Sequence, residues 1–79
     1  MINKNVKNKE IIEGIKDKIN KAISTNNAYQ LARLCATLTT TAKTEDEQKQ
    51  ARDYLNQRIS EADKSTFIYQ VLMATIGHL

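Results

Sequence analysis

No proline occurs anywhere in this 79-residue chain, and its only glycines are Gly14 and Gly77. That scarcity constrains the fold more than any motif does. A β-meander or sandwich needs frequent turns, built from residues that tolerate positive φ or pre-set a bend. Ala, Leu, Lys, Glu and Gln are abundant instead, and these residues lose least on entering a helix. The expected fold class is therefore all-α. We expect a small bundle of four short helices, orthogonal or up-down, with dimerisation as one route to completing the core.

The stretch from Ala28 to Ala42 organises the rest. Leu31, Leu34, Cys35, Leu38 and Ala42 recur at spacings of three and four, which places them on one helix face. Arg33 is its only charge. Ala28, Ala32 and Ala36 widen that face with small side chains, so a neighbouring backbone can come close. Ahead of it, Lys9 to Ile23 reads as a helix with the apolar stripe Ile12, Ile15, Ile19, Ala22 and Ile23. Residues 1–8 read as a frayed N-terminal arm and residues 9–79 as a single helical domain. Gly14 lies mid-helix, at a cost of roughly 1 kcal/mol relative to alanine. Close approach of another helix and simple surface tolerance both account for it.

Ser24 to Asn27 forms the first break, with Thr25, Asn26 or Asn27 as the next cap. Thr37 and Thr39 to Thr41 weaken the end of the second helix. Thr44-Glu45-Asp46-Glu47 is a capping box with three carboxylates in the first turn. The helix it opens runs to about Ala62 on a thin stripe of Ala51, Leu55, Ile59 and Ala62, flanked by Tyr54 and Arg58. Asp63-Lys64-Ser65 is the last break, with Ser65 or Asp63 as cap. Thr66 to Ile76 is rich in aromatic and β-branched residues, so a strand competes with a helix there. The absence of period-two alternation and the position of Gly77 favour the helix.

Several function classes find little support in these residues. Cys35 is the only cysteine, so no intrachain disulfide forms, and its apolar neighbours mark it as a core thiol. His78 is the only histidine and is expected in solvent. No phosphate-binding glycine loop, paired metal-ligand spacing or nucleophile elbow occurs. We expect no enzyme, no catalytic or metal residues, no cofactor and no small-molecule substrate. No signal-peptide pattern or membrane-length apolar run is present, so a cytoplasmic protein without a membrane partner is the expectation.

Net charge is +3 and uneven: residues 1–23 hold six lysines and three acids, and residues 45–64 hold four bases and six acids. Lys4, Lys7, Lys9, Lys16, Lys18, Lys21 and Arg33 are candidate phosphate contacts. Glu10, Glu13 and Asp17 share their segment, so nucleic acid is the secondary reading. The primary reading is a protein-interaction module: an adaptor, inhibitor or immunity-type accessory protein. It rests on the apolar surplus of the last helix, where Phe67, Ile68, Tyr69, Val71, Leu72, Met73 and Ile76 cover more than one face. Phe67, Tyr69, Met73 and Ile76 are the candidate interface, toward a protein partner or a second copy in a homodimer. The rival is that this helix is central and wrapped on every side.

Overall fold

A computed structural model describes residues 4–79, with side chains from Lys7 onward. Four helices and no strand occur among the described residues: α1 (Lys4–Ser24), α2 (Ala28–Thr41), α3 (Glu45–Glu61) and α4 (Phe67–Ile76). Around the bundle the order is α1, α2, α4, α3, with the largest interface between α1 and α2 and the next between α2 and α4. The α2/α3 contact is diagonal and small. Short connections usually place sequential helices side by side, and the second connection departs from that. Its flanking residues Ala42 and Thr44 are extended and carry the chain across the end of the bundle. The fourth helix is not the wrapped centre. It occupies the corner between α2 and α3, and its Phe67 and Met73 are exposed.

The core follows the apolar stripes. Ile12, Ile19, Leu31, Leu38, Leu55 and Leu72 are fully enclosed, and Cys35 is buried among them. The α2 stripe supplies Leu31, Cys35, Leu38 and the adjoining Ala42. A lone aromatic, Tyr54, completes the core on α3.

α1 begins at Lys4, five residues ahead of the sequence expectation. The arm assigned to residues 1–8 lies outside the described residues over positions 1–3, and from Lys4 the backbone is helical. Asn8 explains much of this. Its side-chain amide donates to the Thr41 carbonyl at 2.9 Å and also reaches the Glu47 carboxylate. The first turns of α1 are thereby tied to the end of α2 and the start of α3.

Glu47 is the centre of that tie. It is 2% exposed, yet its Oε1 accepts the backbone N–H groups of Lys43 at 3.0 Å and Thr44 at 3.2 Å. In return the Thr44 hydroxyl accepts the Glu47 N–H at 3.1 Å. The capping box read from the sequence is therefore present. The Asn8 amide, then the two backbone N–H groups, hold the Glu47 carboxyl below its ordinary range, against the opposing pull of burial.

The other caps are similarly local. Asn27 caps α2 by accepting from Gln30 N–H, after a turn in which Asn26 adopts φ 54, a conformation asparagine tolerates. Thr66, rather than Ser65 or Asp63, caps α4. Asp63 is committed elsewhere: its Oδ1 accepts both the N–H and hydroxyl of Ser65. Gly77 ends α4 in right-handed conformation, so its special freedom is not used. Gly14 packs against nothing, since a β-carbon there meets open space.

Two expectations follow for stability. Gly14→Ala should raise unfolding free energy in urea by about 1 kcal/mol, while Thr44→Ala should lower it by about 1 kcal/mol through loss of the cap. A destabilised Gly14→Ala protein would show that the glycine is needed. Glu47 also sets an acid dependence. Because its folded carboxyl titrates below the ordinary value of 4.5, its stabilisation is complete above that value and is lost as pH falls through the folded one. Glu47→Gln should be less stable at neutral pH but lose less of its stability on acidification than the parent protein.

Candidate functional site

A groove of about 600 Å³ lies on the outer side of the α2/α4 corner. Ala32, Ala36, Thr39 and Thr40 form its α2 side, Val71, Ala74 and Thr75 its α4 side, with His78 just beyond α4 and Cys35 at the floor. No charged side chain lines it. Small residues at three- and four-residue spacings on both helices make the space, because their side chains do not span the gap between the backbones.

Three of the lining residues are threonines, and each donates its hydroxyl proton to a carbonyl of its own helix. Thr39 and Thr40 both donate to the Ala36 carbonyl at 2.9 Å, and Thr75 donates to the Val71 carbonyl at 2.7 Å. This back-bonding to the helix's own carbonyls occupies the hydroxyl proton. Burial pushes the Cys35 thiol up, with the Thr75 hydroxyl opposing in part, so the floor is a neutral thiol at physiological pH.

Two exposed aromatics extend the walls. Tyr29, Arg33, Ala36 and Thr40 follow one stripe of α2, and Phe67, Val71, Ala74 and His78 follow one stripe leading from α4, each at helical spacing. Tyr29 and Phe67 are both 73% exposed. The Arg33 guanidinium lies 6.0 Å from the Tyr29 ring centroid, a distance at the edge of cation–π attraction.

The candidate interface residues divide between two flanks of α4. Phe67 belongs to the groove stripe. Met73 is exposed on the opposite flank, beside the half-buried Tyr69. Ile76 packs partly buried against the core. The α2 edge, Tyr29 and the threonines, was not among the candidate interface residues. The small Ala28/Ala32/Ala36 series was the available signal.

The basic candidates also divide. Lys7, Lys18 and Lys21 share an exposed flank of α1 with Ile11 and Gly14, at positions spaced four, three, four and three. Lys9 is exposed and lies in helical register with Lys16 on another flank. Lys16 is withdrawn: it pairs with Glu13 at 2.8 Å, is only 20% exposed, and stands 5.1 Å from the Tyr54 ring centroid. Arg33 is on α2, and the Lys4 side chain lies outside those described.

A polar seam joins α1 to α3. The Tyr54 hydroxyl is shared between the Lys16 carbonyl at 3.1 Å and the Asn20 side-chain oxygen. Its ring lies between Lys16 and Arg58, the latter 5.7 Å from the centroid. Gln50 donates to Glu13 at 2.6 Å, and Lys16 and Gln50 together hold the Glu13 carboxyl low. These titratable groups are spent on one another, and the seam reads as a helix-to-helix clamp. Among the described residues no cluster of three or more metal-ligating side chains is assembled, and no helix is long and apolar enough to cross a membrane.

Set against known protein families, curated proteins and solved structures, the chain matches none of them. Its functional reading therefore rests on its own residues.

The seam makes a test in alkali. Burial pushes the Tyr54 phenol up to about 12 from an ordinary 10, with the Arg58 charge opposing. A raised folded value means the stabilisation is complete below 10 and is lost as pH rises from 10 toward 12. Tyr54→Phe should lower stability at neutral pH, where the hydrogen bonds are lost, and flatten the alkaline decline seen by circular dichroism. An unchanged alkaline profile would show that Tyr54 does not set it.

Proposed function

We propose that this chain is a protein-interaction module that binds its partner through the open α2/α4 face. The observation that carries the reading is the pair of aromatics, Tyr29 and Phe67, each 73% exposed on stripes that edge an uncharged groove. Exposed aromatic and arginine side chains beside an apolar depression match the residue types that dominate binding energy at protein interfaces. A small domain gains nothing in stability from holding two aromatic rings in water. The reading gives the molecule an occluding or adaptor role. Tyr69 and Met73 supply a second apolar edge on the far flank of α4.

Nucleic acid binding has less to stand on. Lys16 is ion-paired, and Glu10 and Asp17 adjoin the Lys7/Lys18/Lys21 flank at helical neighbour positions.

The test is a Tyr29→Lys, Phe67→Lys double variant. Both sites are exposed, so stability should stay within about 0.5 kcal/mol per site and helix content should be unchanged. Cross-linking in the native host should capture a protein with the parent chain, and the double variant should lose it. Loss of one aromatic anchor typically costs about 2 kcal/mol, roughly thirtyfold in affinity. Capture that is indifferent to both substitutions would reject this face. Recovery of nucleic acid that dissociates steeply with added salt would favour the lysines of α1 instead.

A further inference from the structure

Resting on that reading, we infer that the groove receives an acidic amphipathic helix of a different protein, its carboxylates meeting Arg33. The walls specify a helix by what they offer. No strand or sheet edge exists among the described residues, so an added β-strand has nothing to pair with. Small side chains line both walls, and the α2 wall runs from Ala32 to Thr40. At 1.5 Å per residue that is about 12 Å, or two helical turns. An approaching helix can seat residues at i, i+3 or i+4, and i+7 in it. A small polar ligand would want several convergent hydrogen-bonding groups, and Thr39, Thr40 and Thr75 have already committed their hydroxyl protons to backbone carbonyls.

Charge chooses the partner. α2 and α4 contain no acid, and Arg33 is the only charge on either helix. Among the described residues the ion pairs are Lys16–Glu13, Lys49–Asp53 and Arg58–Glu61, so Arg33 has no carboxylate there and rests against Tyr29. A carboxylate on the incoming helix would complete it, since guanidinium–carboxylate pairs are the strong, geometrically selective ones. A second copy meeting this face with its own would bring two Arg33 side chains together with no acid on either pair of walls. That repulsion disfavours self-association here, as like-charge juxtaposition does at interfaces generally. Lys7, Lys18 and Lys21 add to the overall +3 charge and favour encounter with an acidic molecule.

The experiment is a display selection of random helical peptides against the immobilised full chain, with binding of the winners measured in solution. Enriched peptides should carry an apolar stripe and an excess of Asp and Glu. Ala36→Trp, which fills the groove from α2, should weaken them at least tenfold, and Ala74→Trp, which fills it from α4, should do the same. Two fillers from opposite walls keep the test decisive if one of them disturbs folding. Arg33→Glu should weaken acidic winners at least tenfold, and exchanging the peptide's acid for lysine should restore binding to that variant. Neutral or basic winners that both tryptophans still block would overturn the acidic-helix inference and leave the protein-binding face standing. Winners indifferent to both tryptophans, or no enrichment, would overturn both. Sedimentation should return a monomer. A stable dimer that Ala36→Trp dissociates would assign the groove to a second copy.

Discussion

Burial of one stripe on α2 is the constraint from which the rest of the structure follows. Leu31, Cys35 and Leu38 are all essentially enclosed, and a chain this short buries only about 60% of its extended surface. The other helices must be spent on that stripe. α1 and α4 take the two large interfaces with α2, while α3 closes the ring between them. With every helix committed inward, no helix among the described residues covers the outer side of the α2/α4 corner. The groove is what remains when four helices of unequal length enclose one core.

Polar groups hold the corners that apolar burial does not. The α1/α3 contact is the smallest of the side-by-side interfaces, and Tyr54 carries it, through its ring and through hydroxyl contacts with Lys16 and Asn20. Asn8 and Glu47 act likewise at the opposite end of α1, where three segments meet over two side chains. A buried carboxylate is costly unless hydrogen-bonded throughout. Glu47 is tolerated because its ligands are backbone donors that the helix start would otherwise leave unpaired. The same contacts fix where the second connection turns, and hence why α2 and α3 end up diagonal.

Much of this was legible from residue spacing. The helices, the Thr44–Glu47 box and the core stripes all rest on local periodicity or on groups three and four residues apart. What was not legible depends on contacts between distant residues. Asn8 read as part of the frayed arm because its partners, Thr41 and Glu47, are more than thirty positions away. Lys16 looked like one of six equivalent lysines until Tyr54 drew it aside. The surplus of apolar residues on α4 was visible, but which flank stays uncovered depends on where α2 and α3 sit. Phe67 lies on one open flank and Met73 on the other, while Ile76 turns to the core.

The threonines of α2 show how the same physics gives the surface its character. Thr37, Thr39, Thr40 and Thr41 read as a polar helix end, and their preference for non-helical conformations should weaken it. In the structure each hydroxyl bonds a carbonyl three or four residues back. An apolar partner facing Thr39 and Thr40 would meet hydroxyls whose protons are already donated to the Ala36 carbonyl. Serine at these positions would keep the back-bonds but remove the methyls. Valine would keep a methyl surface but leave it bare to solvent. Threonine alone among the three offers both a back-bonded hydroxyl and a methyl group.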